Sequence, residues 1–233
     1  MGTPAGVVTW SLSPSISYAA EGGGLGGASL SSFMPAGFKA EIIAAFAQWS
    51  AVADITFVEV PDSGTAFNAA GATGDIRIGA HTFDGPGGSS AHAYFPPVQG
   101  TSAASDIHFD LADSWKIGFG GTGFDIQQVA AHEIGHAIGL GHSPVPGSLM
   151  NTIYTETFSG VQADDIAGAI AIYGAAPPAV PEPGSLVLFA LRSWRPRPGR
   201  VRNPTSQKKS HHRNPRLIVV GHLNDAQSQV AVG

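Results

Sequence analysis

Residues 132–142 read His-Glu-Ile-Gly-His-Ala-Ile-Gly-Leu-Gly-His, and no other stretch constrains the chain as tightly. On an α-helix, positions four apart share a face, so His132 and His136 can each present an imidazole nitrogen about 2 Å from one zinc ion. Gly139 tolerates the positive φ that bends a chain out of a helix, which brings His142 round as a third ligand. Three neutral imidazoles leave a fourth position open for water, the coordination of catalytic rather than structural zinc. Glu133 lies beside the first ligand and does not need to ligate. A carboxylate there can take a proton from activated water and return it to a leaving amine. The helix should start near Asp125, where Asp125 and Gln128 have the spacing of a capping pair, and end at Gly139 and Gly141.

The 233 residues include no cysteine, which excludes a disulfide scaffold, a thiolate metal site, a cysteine nucleophile and a cysteine-held prodomain. Any metal must sit on histidine and carboxylates. All six histidines of residues 1–191 fall either in the run above or in a second group, His81, His92 and His108, whereas His211, His212 and His222 lie in the tail. Charge divides the chain at the same place. Residues 1–191 hold 3 basic and 16 acidic residues and residues 192–233 hold 9 basic and 1 acidic, giving −13 and +8. An acidic body argues against nucleic-acid binding by the folded part and suits cations, while a basic tail rich in Pro, Ser and Asn reads as disordered.

Elsewhere, Val7–Trp10, Ile55–Val60, Asp75–Ile78, Ala91–Phe95 and Asp106–Phe109 have strand character, separated by loops rich in glycine and proline. Ile42, Phe46 and Trp49 recur at helical spacing within 38–52, and a last helix is expected over 162–173. A Pro-rich linker, 175–184, then closes a domain of residues 1–174. The apolar run 185–191 would be about 10 Å long as a helix and cannot cross a bilayer core of about 30 Å. The first ten residues have neither the basic nor the apolar region of a secretory signal, so none is expected in this chain.

The zinc run resembles the signature of metzincin metallopeptidases, HExxHxxGxxH followed by a Met-containing turn. Ser143, directly after the third histidine, is what matrixins, the matrix metalloproteinase family, carry there. Ser148-Leu149-Met150 is similar to the Met-turn, in which a methionine floors the metal site. Ala45–Ser50 and Asp164–Gly174 look like the family's first and last helices. The resemblance implies an α+β fold with a twisted, mostly parallel five-stranded sheet and three helices. It also implies a zinc endopeptidase acting on extracellular polypeptides, monomeric and secreted or at the cell surface, with Glu133 as general base and acid.

In matrixins the middle of the domain holds a structural zinc and a structural calcium. The match carries His81, His92 and His108 onto zinc-ligand positions, while Phe83 stands where the family has an Asp, leaving the fourth ligand open. For calcium it carries over Asp84, Asp110 and Asp113 with the backbone carbonyls of Gly85, Gly87 and Ser89, an all-oxygen set suited to a hard cation. Asp113 replaces a Glu, and Asp106 falls where relatives hold a further calcium. Peptide substrate is expected along the edge strand, at Ala91 and Ala93, with Val129 and Tyr154 lining the pocket beside the zinc. Asn151, Thr152 and Ser90 depart from the family. These departures motivate a competing reading, a non-catalytic surface or matrix-binding module in which the metals only hold the fold. Residues 180–188, Val-Pro-Glu-Pro-Gly-Ser-Leu-Val-Leu, resemble the start of a bacterial PEP-type C-terminal sorting signal. After them the apolar stretch breaks off, so 185–233 read as a degenerate signal and basic tail.

Overall fold

The computed structural model describes residues 6–21, 26–96 and 102–178. Its elements run β1 (Gly6–Leu12), α1 (Phe38–Ser50), β2 (Ile55–Glu59), β3 (Ile76–His81), β4 (Ala91–Ala93), β5 (Ile107–Asp110), β6 (Trp115–Lys116), β7 (Phe124–Asp125), α2 (Ile126–Ala137) and α3 (Ala163–Tyr173). Single 3-10 turns lie at Ala19–Glu21 and Leu30–Ser32. The expected strands and helices are present with ends shifted by a few residues. The β6–β7 pair was not expected, because two-residue strands in a Gly-rich stretch carry no alternation to read.

One sheet has the order β2-β1-β3-β5-β4, with β4 antiparallel to β5 and the other pairs parallel. This is the mostly parallel five-stranded sheet of the expected α+β fold. Parallel strands in the middle of a sheet are covered on both faces, and β3 and β5 are buried at every position. Successive side chains point to opposite faces. Ile76, Ile78 and Ala80, with Ile107 and Phe109, therefore enter the main core against α1 and α2. Arg77, Gly79 and His81, with His108 and Asp110, take the other face.

The core locks the helices to the sheet and to each other. Trp10 stacks on Phe46 with ring centroids 4.9 Å apart, and the buried Trp49 of α1 donates its indole N–H to Ala131 O of α2 at 2.9 Å. On the opposite face a smaller core gathers Ile16, Tyr18, Phe67 and Ala103. Gly79 makes that packing possible, since a Cβ there would overlap the Tyr18 hydroxyl. Arg77 is buried on this face and forms a two-pronged pair with Asp62, Nε to Oδ2 at 2.9 Å and Nη2 to Oδ1 at 2.8 Å.

At the start of α2, Asp125 accepts the Gln128 backbone N–H at 2.8 Å as expected of a cap. The Gln128 side chain does not return the bond. It reaches the loop before α3, with Nε2 near Thr155 O (3.4 Å) and Phe158 O (3.3 Å) and Oε1 accepting the Gly160 N–H (3.0 Å). Among the described residues no helix is long and apolar enough to cross a membrane. The stretch that resembles a sorting signal and the basic tail lie outside the described residues.

Candidate active site

His132 and His136 share one face of α2, and the chain leaves that helix at Gly139 with a φ of 101°, a conformation glycine adopts without steric cost. His142 turns back as a result, and ligand atoms of the three histidines lie within 4.8 Å of one another. His136 Nε2 and His142 Nε2 are 3.1 Å apart, close to the ~3.3 Å that two nitrogens keep on one tetrahedral zinc. His132 Nδ1 lies 2.7 Å from Leu149 O and His136 Nδ1 2.7 Å from Leu140 O. A carbonyl can only accept, so both Nδ1 atoms carry the proton and both Nε2 lone pairs are free for a ligand. Burial lowers the His132 pKa to about 4, helped by the neighbouring His136, and burial lowers His136 as well. Both rings are therefore neutral at pH 7, the state a metal requires.

Glu133 is 6% exposed, and its Oε2 is buried with no hydrogen-bond partner among the described residues. Burial pushes its carboxyl up to about 8. An unpartnered buried carboxylate is costly unless a cation or a proton compensates it. Three neutral imidazoles converging beside such a group fit a zinc ion.

The floor of the site is built by close packing. Met150 is 2% exposed beneath α2, and a Cβ on Gly135 would overlap its Sδ, so the glycine in the HExxH run is what admits the methionine. Asp165 of α3 holds this turn. Its carboxylate accepts the backbone N–H groups of Leu149 (2.8 Å), Met150 (3.0 Å) and Gln162 (2.7 Å) and the Ser148 hydroxyl. The Leu149 peptide so fixed is the one whose carbonyl orients His132. The sequence reading placed Asp165 only within the last helix and missed this role.

A cleft of about 480 Å³ opens over the histidines. One wall is β4, the last strand in the sheet order, which carries Ala91 and Ala93; Val129 and Tyr154 line the same cleft. The Tyr154 hydroxyl accepts the Asp125 N–H at 2.8 Å and donates to Glu156 at 2.7 Å, and Glu156 pairs with Lys116 at 2.6 Å. Asn151 bridges the loop with Nδ2 donating to Ser143 O at 3.2 Å.

His81, His92 and His108 also come together, and they do so around Glu21. Glu21 Oε1 lies 2.8 Å from His92 Nε2 and 3.0 Å from His108 Nδ1, and Oε2 lies 2.7 Å from His81 Nε2. Burial lowers the His108 pKa to about 4 against the opposing pull of Glu21. Phe83 packs its ring against His92, with centroids 4.7 Å apart, and so supplies cover rather than a ligand. Sequence reasoning missed Glu21, which has no fixed spacing to the histidines. A signal existed, since Glu21 is the sole acidic residue of the first 40 and the expected Asp is absent at Phe83.

The acidic loop folds around its own backbone. Asp84 Oδ2 accepts Ser89 N–H at 2.7 Å, Asp113 Oδ1 accepts Gly87 N–H at 2.8 Å and Asp110 Oδ1 accepts Ala112 N–H at 2.7 Å. Gly85 and Gly87 take the φ values 89° and 80° that shape the turn. Asp113 Oδ2 is buried without a partner, and burial together with the Asp110 and Asp84 charges raises its pKa. Asp106 sits apart, buried beside Arg77, whose N–H it accepts at 3.2 Å, and burial pushes its carboxyl up to about 7.

Comparison with known proteins bears on residues 29–174, which match the family model described as Matrixin. Stromelysin-3 of Xenopus laevis is 41% identical over 144 residues, covering 58% of this chain and 28% of its own length. Matrix metalloproteinase-19 of Mus musculus is 36% identical over 180 residues, 72% of this chain and 31% of its own length. A bacterial relative, karilysin of Tannerella forsythia, is 38% identical over 141 residues, 57% of this chain and 28% of its own length. The chain thus spans less than a third of the length of these curated relatives.

Proposed function

The chain belongs to the matrixin family, and on that premise we propose that it is a zinc-dependent endopeptidase. One observation carries the reading: the unprotonated nitrogens of His132 and His136 meet His142 beside the unpartnered Glu133 carboxylate, on the floor of a cleft walled by a sheet edge. A zinc ion held by the three histidines would polarise a peptide carbonyl and make water a nucleophile near neutral pH. Glu133 takes the proton of the attacking water on its carboxylate and delivers it to the amine that leaves. Leu149 O and Leu140 O hold the His132 and His136 rings in the tautomer that ligates. An extended polypeptide pairs its backbone with β4 at Ala91 and Ala93 and places a side chain between Val129 and Tyr154.

His81, His92 and His108 hold a second, structural zinc, and the loop of Asp84, Gly85, Gly87, Ser89, Asp110 and Asp113 holds calcium through oxygens. Asp106 is not part of that set; buried beside Arg77, whose backbone N–H its Oδ1 accepts, it is the position for a further calcium. The substrates are extracellular proteins, cut by a monomer that is secreted or at the cell surface, where calcium is abundant. Residues 1–174 constitute the peptidase domain.

The test is cleavage of a mixed peptide library by the full chain with zinc and calcium, beside Glu133→Ala and a chelated sample. Cleavage that vanishes in both controls supports the reading. A folded, zinc-loaded chain that cuts nothing refutes it and favours the binding module.

A further inference from the structure

We propose that Glu21 is the fourth ligand of the metal at His81, His92 and His108, and that this metal locks residues 13–21 onto the sheet beside the cleft's edge strand. The inference rests on reading those three histidines as zinc ligands. Glu21 lies upstream of residues 29–174, the part that matches the family model, on the turn that follows β1.

The carboxylate and the three rings are arranged as ligands of a common ion. Glu21 Oε2 and His81 Nε2 are 2.7 Å apart, yet both are buried atoms with no aligned hydrogen bond. Two groups that close, with no aligned hydrogen bond between them, each keep a lone pair that a shared ion can take. His81 and His108 are 1% and 2% exposed, and three nitrogens with one oxygen complete a closed four-coordinate zinc site with no position left for water. Calcium, which needs six or more oxygens, does not suit this set. The Tyr94 hydroxyl donates to Glu21 Oε1 at 2.7 Å, the kind of outer partner that orients a ligating carboxylate.

The segment carrying Glu21 is built to dock. Tyr18 stacks on the His81 ring with centroids 4.6 Å apart and fills the space over Gly79. Its carbonyl accepts the Glu21 N–H at 2.9 Å, closing the 3-10 turn that aims the carboxylate. Phe83 occupies the loop position where the family has its Asp, so the ligand is replaced from across the fold. The cross-link spans 71 residues to His92 on β4 and 87 to His108 on β5. One metal thereby ties the front of the chain to the strand against which substrate is proposed to lie.

The test uses the full zinc-loaded chain, counting zinc retained against a competing chelator and following amide hydrogen exchange. Wild type should hold two zinc ions, and Glu21→Gln, which keeps the size but not the charge, should lose one of them about 100-fold more readily. Amides of residues 16–21 and 91–94 should then exchange at least tenfold faster, as they should in wild type stripped of the second zinc. Tyr94→Phe leaves all four ligands in place and should weaken the same zinc by about 10–100-fold, an arm that stands if Glu21→Gln does not fold. Unchanged affinity for both zincs in Glu21→Gln and in Tyr94→Phe overturns the proposal, as does exchange of 16–21 that ignores zinc. His81→Ala separates the two failures. If it also keeps both zincs, the three-histidine reading falls; if it loses one while Glu21→Gln does not, only Glu21 falls.

Discussion

Replacing Asp165 by asparagine should damage the metal site from a distance. The Asp165 carboxylate is 2% exposed and accepts from Leu149 N at 2.8 Å and Gln162 N at 2.7 Å on one oxygen and from Met150 N at 3.0 Å and the Ser148 hydroxyl on the other. Asparagine keeps the shape but has one acceptor oxygen. With its amide group turned toward Leu149 and Gln162, two backbone N–H groups face a donor. Turned the other way, Met150 N–H keeps only its 3.2 Å bond to the Ser148 hydroxyl oxygen, while that hydroxyl rotates and accepts from the amide. The second orientation costs less. It loses one charge-assisted bond, ~1.5–3 kcal/mol, and removes the charge from the rest, ~1 kcal/mol each, for a total of about 4 kcal/mol. For a domain of this size that lowers Tm by about 10 °C. Because Leu149 O orients His132, zinc affinity at the three-histidine site should fall about 10–100-fold. Differential scanning calorimetry and zinc competition read the two effects. A variant that melts within about 2 °C of wild type and holds zinc unchanged refutes the reasoning.

Gly135→Ala should cost about 1–3 kcal/mol by overpacking against Met150, although alanine is the better helix former; a guanidinium midpoint at or above wild type would show that the methionine has room to move. Burial raises the Asp62 carboxyl, but the hydrogen bonds from Arg77 outweigh it and hold the pKa below its ordinary value of 3.8. A depressed folded pKa adds stability that is present above about 3.8 and lost as pH falls through the folded value. Asp62→Asn should therefore destabilise the protein by about 3–5 kcal/mol at pH 7, since it strands a buried guanidinium, and should flatten the acid limb of a stability–pH curve; an acid limb as steep as wild type's contradicts the pairing. Gln128→Leu removes the three bonds to the loop before α3. Hydrogen exchange should show Gly160 losing protection while α2 keeps its own, and unchanged Gly160 exchange would count against a clasp.

Most of α2 and its chemistry was legible because the signals are local. His132 and His136 share a face by helix geometry, Gly139 permits the bend, and Asp125 caps the start. Strands β1, β2, β3, β4 and β5 showed as short apolar runs between turn residues. Gln128 misled at the cap, since the spacing that suits a reciprocal bond says nothing of a competing partner 27–32 residues away. Tyr18 could not be matched with Gly79 in advance, nor Asp62 with Arg77. Each pair is set by which strands lie side by side, and loop lengths alone do not dictate that.

By itself the sequence carried the shared helix face of His132 and His136, the glycine that turns the chain back to His142, the position of Glu133 and the lack of any thiol, because each follows from residue type or from spacing within one element, whereas the fold class came through the resemblance to matrixins. Only the tertiary structure decided what surrounds them and the second histidine group: Asp165 under the Met-turn, Gly135 over Met150, and Glu21 against His81, His92 and His108. The physical reason is that a carboxylate finds its partners through contact in the folded chain. Glu21 meets three histidines 60 to 87 residues away only after β3, β4 and β5 are assembled into one sheet.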